Sequence, residues 1–193
     1  MRIAAALLLV LATACHLPRE PRPLPNEGAW AVARDRMTRT GKIYDGLATN
    51  AFVQVVYLPR EVRDALVARI GAWKALTAEE TQRLLVAERD DAARYEEFIV
   101  SMFTPDPADN DLDTAKSIWR VALVIDGSDD VLPESMHLER VDAMSRALYP
   151  MIGDFDAVYR VRFPRTHALD GRAFTLRLAG ARGRIDFEYG ASR

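Results

Sequence analysis

Cysteine, histidine and lysine are scarce in this chain, and neither sign of charge is in large excess. Among 193 residues there are one cysteine, three histidines and three lysines. A single cysteine cannot form a disulfide within the chain, so the folded part has to hold by its core alone. Because 26 basic residues stand against 28 acidic ones, the formal charge is only −2. That balance gives no bulk attraction to nucleic acid, and no nucleic-acid partner is expected.

The familiar catalytic and cofactor motifs are missing as well. The sequence contains no G-x-S-x-G, G-x-x-x-x-G-K-[ST], G-x-G-x-x-G or H-E-x-x-H pattern. No catalytic residue and no resident cofactor is therefore predicted. The absence of these motifs favours a binding or structural protein over an enzyme.

The rest of the composition is that of an ordinary globular protein. Hydrophobic residues make up 49% of the chain, charged residues 28% and aromatic residues 8%. These values exclude collagen-like, low-complexity and wholly disordered chains. Since no proline- or glycine-rich linker divides residues 29–193, we expect this part of the chain to form one globular domain.

Residues 1–14 have the layout of a cleaved secretory signal. Arg2 supplies one positive charge, Ile3 to Ala12 form an apolar run, and the small residues Thr13 and Ala14 follow. The run is too short to cross a bilayer, because a helix needs about 20 residues to span the hydrocarbon core. We therefore expect residues 1–14 to be removed.

The only cysteine stands directly after this stretch. Leu11-Ala12-Thr13-Ala14-Cys15 resembles the lipobox of bacterial lipoproteins. The resemblance implies that signal peptidase II cleaves before Cys15 and that this residue carries acyl chains such as palmitate, which anchor the protein in a membrane. Because His16 and not aspartate follows, the resemblance also implies the periplasmic face of the outer membrane. The alternative is an ordinary signal peptide with an incidental cysteine.

Residues 15–28 are expected to form a tether. Four of the ten prolines fall here, at Pro18, Pro21, Pro23 and Pro25. Proline fixes φ and disfavours a helical conformation in the residue before it, so the segment should extend by about 3 Å per residue. A proline-rich ligand for a partner domain is the alternative interpretation.

A pair of helices is predicted in the middle of the chain. Pro59 opens the first helix, because proline is favoured at the first helical position. Thr77 and Glu80 have the spacing of a capping box that starts the second, and a 3.6-residue pattern continues to Phe103. The helical insertion is therefore placed at about residues 59–104.

Strands are predicted on both sides of this pair. Runs of β-branched and aromatic residues, and alternation of apolar with polar residues, both favour them. A turn at Thr40-Gly41 would separate the first two. The predicted strands are Val32–Met37, Lys42–Tyr44, Thr49–Leu58, Ser117–Asp126, Ser135–Val141, Phe155–Phe163 and a hairpin of Phe174–Leu178 with Ile185–Tyr189.

This order of elements predicts an α+β fold. We expect an antiparallel β-sandwich of immunoglobulin-like architecture with the α-helical pair inserted in it. The Cys and Trp spacing of true immunoglobulin domains is absent, so only the architecture is predicted. The alternative is an α+β sheet with both helices on one face.

The loop Asp106–Asp113 is the one cluster with the composition of a metal site. Asp109, Asp111 and Asp113 alternate as at the start of an EF-hand loop, which makes calcium the candidate ion. Thr114 and Arg120, however, occupy the positions of the required glycine and the closing glutamate. The alternative is that the loop consists of turn-forming residues whose side chains bind the neighbouring backbone.

Two other groups of residues could carry chemistry. His137 or His167 could act with the acidic loop in an envelope hydrolase. Glu96 and Glu97, if helical, would point about 100° apart and could not act on one bond.

A basic stripe on the outer face of the late strands could bind anionic envelope polymers, or its arginines could simply pair with acids on adjacent strands. Its members would be Arg160, Arg162, Arg165, Arg172 and Arg177.

Together these features favour a membrane-anchored envelope lipoprotein that is a non-enzymatic binding or structural module. Its partners would be the membrane, through the lipid anchor, and another envelope protein. The alternative is an envelope hydrolase or a metal-binding protein that uses the loop Asp106–Asp113.

The lipid anchor can be tested through Cys15. In cells fed labelled palmitate, the wild-type protein should carry the label, and globomycin should cause the unprocessed precursor to accumulate. Cys15→Ala should abolish the label because it removes the acylated thiol. Unchanged processing of the variant and an unlabelled wild-type protein would contradict the prediction.

Overall fold

The computed structural model of the chain describes residues 27–166, 169 and 171–190. The predicted signal, Cys15, most of the tether and His167 lie outside these residues. The helices of the described part are Glu27–Arg36 (α1), Arg60–Trp73 (α2), Ala78–Arg94 (α3) and Ala143–Leu148 (α4). Its strands are Thr38–Asp45 (β1), Ala48–Tyr57 (β2), Tyr95–Phe103 (β3), Trp119–Val124 (β4), Ser135–Leu138 (β5), Ala157–Pro164 (β6), Phe174–Gly180 (β7) and Gly183–Tyr189 (β8).

The strands form two antiparallel sheets. One has the order β1-β2-β3-β6-β5 and the other the order β4-β7-β8. Apolar side chains from both sheets share one buried core, and a second core lies between the larger sheet and α1, α2 and α4. The α+β class is therefore confirmed, and α1, α2 and α4 cover one face of the larger sheet.

The last hairpin follows its sequence pattern. Phe174 pairs with Tyr189 in the register of β7 and β8, and both side chains enter the core between the sheets. Arg177 pairs with Asp186 in the same register, and its Nε lies 3.0 Å from Oδ1 of that acid. Alternation with period two thus separates a buried face from a charged one, and the predicted hairpin is confirmed.

The turn predicted at Thr40 and Gly41 is wrong, because both residues lie inside β1. Gly41 pairs with Val53 of β2. A Cβ atom on Gly41 would come within 2.4 Å of Cγ2 of Ile185, which belongs to the other sheet. Glycine is required here by the close approach of a side chain, and not by a change in chain direction.

The strand predicted at Val32–Met37 is also wrong, since α1 covers most of it. The helix is held by Trp30, which is 1% exposed. Its Nε1 donates a hydrogen bond of 3.1 Å to the carbonyl of Leu148, and its ring meets that of Tyr149 edge to face at 5.7 Å. A helix this short depends on such tertiary contacts, and so its own sequence pattern was weak.

Helix α3 begins as predicted and ends earlier than predicted. The backbone N–H of Glu80 donates to Oγ1 of Thr77 at 3.2 Å, and the Thr77 N–H donates to Oε2 of Glu80 at 2.8 Å. The predicted capping box is therefore confirmed. The helix stops at Arg94, however, and not at Phe103.

The residues after Arg94 form β3, which lies between β2 and β6 in the middle of the larger sheet. Phe98 and Val100 face the core between the sheets, whereas Ile99 faces the helices. Apolar residues at consecutive positions suit a helix and also a strand that is buried on both sides. Hydrogen bonding to two neighbouring strands decides between them, and the prediction of a helix to Phe103 is wrong.

The acid Glu97 lies on the helix-facing side of β3 and is 1% exposed. Two arginines of β6 bind its carboxylate: Arg160 through Nη1, and Arg162 through Nε at 2.6 Å. Nη1 of Arg63, from α2, lies 3.8 Å away. The expectation that Glu96 and Glu97 point about 100° apart is wrong, because neighbours in a strand face opposite sides of the sheet.

The three arginines around Glu97 connect it to further elements. Burial alone would lower the pKa of the Arg160 guanidinium, but Glu97 and Glu139 raise it above the ordinary value. Arg160 therefore stays charged beside the carboxylate. The further partners are Leu58, whose carbonyl accepts from Arg63 Nε at 2.8 Å, Glu139, at 2.8 Å from Arg160 Nε, and Asp91, at 3.4 Å from Arg162 Nη2.

No helix in the described ranges is long and apolar enough to cross a membrane.

Glu97 can be tested against a matched acid on the surface. Asp186 also lies between two arginines, Arg177 and Arg184, but its side chain is 29% exposed. Glu97→Gln should lower the free energy of unfolding by about 3–5 kcal/mol, because it removes the buried charge that the buried Arg63 and the half-buried Arg160 and Arg162 share. Asp186→Asn should cost no more than about 1 kcal/mol. Urea unfolding of both variants measures this, and equal losses would contradict it.

Candidate binding cleft

Acidic side chains of the loop Asp106–Asp113 form hydrogen bonds with groups in and next to the loop. The Asp106 carboxylate accepts a hydrogen bond of 3.0 Å from the N–H of Ala108, at the start of a 3-10 turn. Asp111 accepts from Oγ of Ser117 at 2.8 Å and from the N–H of Ile118 at 3.0 Å. Both acids therefore act as turn-forming residues, as the alternative interpretation had it.

The other candidate metal ligands do not converge with them. Asp109 pairs with Arg182 at 2.7 Å, and its carbonyl accepts from Nε1 of Trp119 at 2.7 Å. Asp113 is exposed to solvent. Within residues 27–166, 169 and 171–190, no three His, Cys, Asp or Glu side chains are placed to hold a metal ion.

The histidines do not complete a site in the described residues. His137 is exposed on β5, which forms an edge of the larger sheet. His167 lies outside the described residues, so its combination with the acidic loop stays a prediction.

The predicted basic stripe does not form a free cationic surface. Arg160 and Arg162 bind Glu97, and Nε of Arg165 lies 3.1 Å from Oε1 of Glu96. These three guanidinium groups have carboxylate partners on β3, the strand beside β6, and Arg177 pairs with Asp186 on β8. Pairing with acids on adjacent strands, the alternative interpretation, is therefore seen for these four arginines.

An open cleft of about 380 Å³ lies at one end of the core between the two sheets. It forms where β2 and β8 end and where β1 and β7 begin, with the end of α1 beside it. Its volume is within the range of small-molecule sites, although at the lower end. The residues of interest in its lining are Tyr57, Phe174, Tyr189, Arg36, Arg39 and Arg172.

Three buried aromatic rings form the floor of this cleft. Phe174 and Tyr189 stack with centroids 5.0 Å apart and planes inclined by 11°. Tyr57 meets Phe174 edge to face at 5.2 Å. Because all three rings also belong to the core between the sheets, core packing fixes the floor in place.

A buried acid lies behind the floor and holds one of its rings. The hydroxyl of Tyr57 donates to Oε2 of Glu96 at 2.6 Å. Glu96 is itself buried, and its charge is balanced by Arg165 on the other carboxylate oxygen. The hydroxyl of Tyr57 is thus tied to the protein.

The hydroxyl of Tyr189 has a different environment. The residue is 3% exposed, and its hydroxyl has no hydrogen-bond partner among the described residues. Burial raises the pKa of this hydroxyl above its usual value, and Arg39 only partly opposes the shift. The group is therefore a neutral donor at physiological pH, and a buried polar group without a partner is unusual enough to need an explanation.

Arginines form the rim. Nε of Arg39 donates to the carbonyl of Glu188 at 2.8 Å, and its guanidinium carbon lies 4.7 Å from the centre of the Tyr189 ring. Arg36 and Arg172 are exposed, and in the part of the chain that the structure describes neither forms an ion pair. Glu61 is the one acid among the described lining residues, so the cleft carries an excess of positive charge.

Sequence reasoning missed this cleft. Tyr57 and Tyr189 follow the inward-facing pattern of their strands, and a pattern of that kind predicts only core. The signal was that each is a tyrosine at the last position of its strand, where a hydroxyl can reach the end of the core. Their meeting depends on the pairing of β2, β7 and β8 across the two sheets.

Comparisons of this chain with protein-family models, with curated proteins and with solved structures found no significant match.

Calcium should not stabilise this protein. Since Asp109 is paired with Arg182 and Asp111 binds its own loop, the carboxylates would have to give up these bonds to bind an ion. We expect the same Tm with millimolar calcium as with a chelator. A rise in Tm that Asp109→Asn abolishes, but that Asp129→Asn in a separate loop leaves intact, would contradict this expectation.

Proposed function

We propose that this protein is a lipid-anchored binding module of the bacterial cell envelope and that the end cleft is its ligand site. The cleft, with its floor of core aromatic rings, is the observation that carries the proposal. The lipobox at Cys15 and the proline-rich residues 15–28 support the anchor and the tether.

The fold suits a preformed site. Each ring of the cleft floor belongs to a strand whose other residues pack in the core, so the floor needs no ordering when a ligand arrives. Helix α1 begins at Glu27, within the last residues of the expected tether, and ends at Arg36 on the cleft rim. One helix therefore links the anchored side of the chain to the site.

We also propose that the two sheets form a sandwich of immunoglobulin-like architecture. The support is that both sheets are antiparallel and share one core, and that the helical pair α2 and α3 enters between β2 and β3. In such sandwiches, binding loops cluster at the ends of the strands, which is where the cleft lies.

The site can be tested with isotope-labelled lipidated protein in phosphatidylcholine nanodiscs. Titration with a mixed library of neutral, anionic and cationic fragments should include at least one that shifts the amide signals of Gly171 and Gly190, which line the cleft. Gly46 and Gly183, which lie at the opposite ends of the β1-β2 and β7-β8 hairpins, should not respond. Phe174→Leu should weaken binding about tenfold because it removes part of the floor.

The matched control is Phe187→Leu, since Phe187 lies in the same core on β8 but does not line the cleft. It should bind the fragment as the wild type does. If no fragment shifts the signals of the cleft, or if both variants lose binding equally, the proposed site is wrong.

A further inference from the structure

We infer that the end cleft binds a small anionic molecule, whose carboxylate or phosphate group meets the arginine rim and the Tyr189 hydroxyl and whose apolar part lies on the aromatic floor. This inference rests on the proposed function, because it names the class of ligand for the same cleft.

The first support is the charge of the rim. Among the described lining residues, Arg36, Arg39 and Arg172 stand with the single acid Glu61, so this part of the lining has two positive charges in excess. Elsewhere in the described structure, arginines close to acids are paired with them, as Arg160 is with Glu97 and Arg177 with Asp186. Guanidinium groups beside a cleft that form no ion pair with a described acid are suited to binding carboxylate or phosphate.

The second support is that Arg39 is held in place before any ligand binds. Its Nη1 donates to the carbonyls of Arg36 at 3.0 Å and of Thr38 at 2.8 Å. Its Nε donates to the carbonyl of Glu188, and the guanidinium lies over the Tyr189 ring. A charge fixed in this way loses little side-chain entropy on binding.

The third support is the hydroxyl of Tyr189. Tyr189 lines the cleft, and its hydroxyl is covered by the protein and has no partner in the described residues, whereas the hydroxyl of Tyr57 on the same floor already donates to Glu96. An anionic oxygen would satisfy it and would also neutralise the rim. A neutral apolar ligand would do neither, so both polar features of the cleft favour an anion.

The aromatic floor sets the shape of the rest of the ligand. Phe174 and Tyr189 are stacked side by side, and Tyr57 adds a third ring. A cleft of about 380 Å³ accommodates one small ring with its anionic group. Benzoate and phenyl phosphate are therefore suitable probes, and benzamide is the neutral counterpart of benzoate.

The test is titration of each probe into the lipidated protein in phosphatidylcholine nanodiscs, followed by the amide signals of Gly171 and Gly190. The dissociation constants of benzoate and phenyl phosphate, obtained from the shifts of these signals, should be at least tenfold lower than that of benzamide. The double variant Arg36→Gln/Arg172→Gln should weaken benzoate binding about tenfold, and the pair Arg83→Gln/Arg120→Gln, which removes two exposed arginines outside the cleft, should not.

Tyr189→Phe separates a binding role from a structural one. It should weaken benzoate binding about fivefold, because one hydrogen bond is lost. Without ligand its Tm should be equal to or above that of the wild type, since the hydroxyl has no partner to lose. Unchanged benzoate affinity in this variant and in the arginine pair would overturn the inference.

A competition experiment with an anionic lipid distinguishes a soluble anionic ligand from a lipid headgroup. If phosphatidylglycerol in the nanodisc competes with benzoate, the natural anion is a headgroup, and if it does not, the anion is a soluble molecule; both results agree with the inference. If benzamide binds the cleft as tightly as benzoate, the inference fails and the proposed binding function stands. If no probe or library fragment shifts the cleft signals, both fail.

Discussion

The carboxylate of Glu97 is the constraint on which the arrangement of helices and sheet depends. It is buried in the centre of the larger sheet, and it lies directly opposite Arg162 in the register of β3 and β6. A buried carboxylate is costly unless it is paired, so β6 has to present its arginines at this level and α2 has to bring Arg63 above them. A shift of either element by one residue would leave a charge buried without its partner.

The neighbouring residue, Glu96, makes contacts on the other side of the sheet. Because β3 is a strand, Glu96 faces away from the helices and reaches the end of the core, where it binds the hydroxyl of Tyr57. Two consecutive acids therefore fix two different layers. Glu97 holds the helices on the sheet, and Glu96 fixes one ring of the cleft floor, so the register that one requires also positions the other.

The sequence predicted the parts of the fold that local patterns determine. The alternation around Phe174 and Ile185, and the capping box of Thr77 and Glu80, require only neighbours along the chain, and both were confirmed. Strand β3 was taken for helix because Phe98 and Ile99 satisfy both periods, and only pairing with two other strands decides between them. The helix that carries Trp30 was not predicted, since it is fixed by a residue as distant in sequence as Leu148.

The cleft could not be predicted from sequence for a related reason, and its two tyrosines show why. Tyr57 and Tyr189 occupy the same kind of position, at the last residue of a strand, with the ring in the core. Their hydroxyls differ in the partners that other strands supply. Strand β3 supplies Glu96 to the hydroxyl of Tyr57, whereas no described residue forms a hydrogen bond with the hydroxyl of Tyr189. A fold that buries a hydroxyl without a partner gives up stability at that point. This hydroxyl belongs to a ring of the cleft floor, and the described lining of the same cleft has three arginines and one acid. The Tyr189 hydroxyl requires a hydrogen-bond acceptor, and the arginines of the rim require negative charge. A single anionic group in the cleft would supply both.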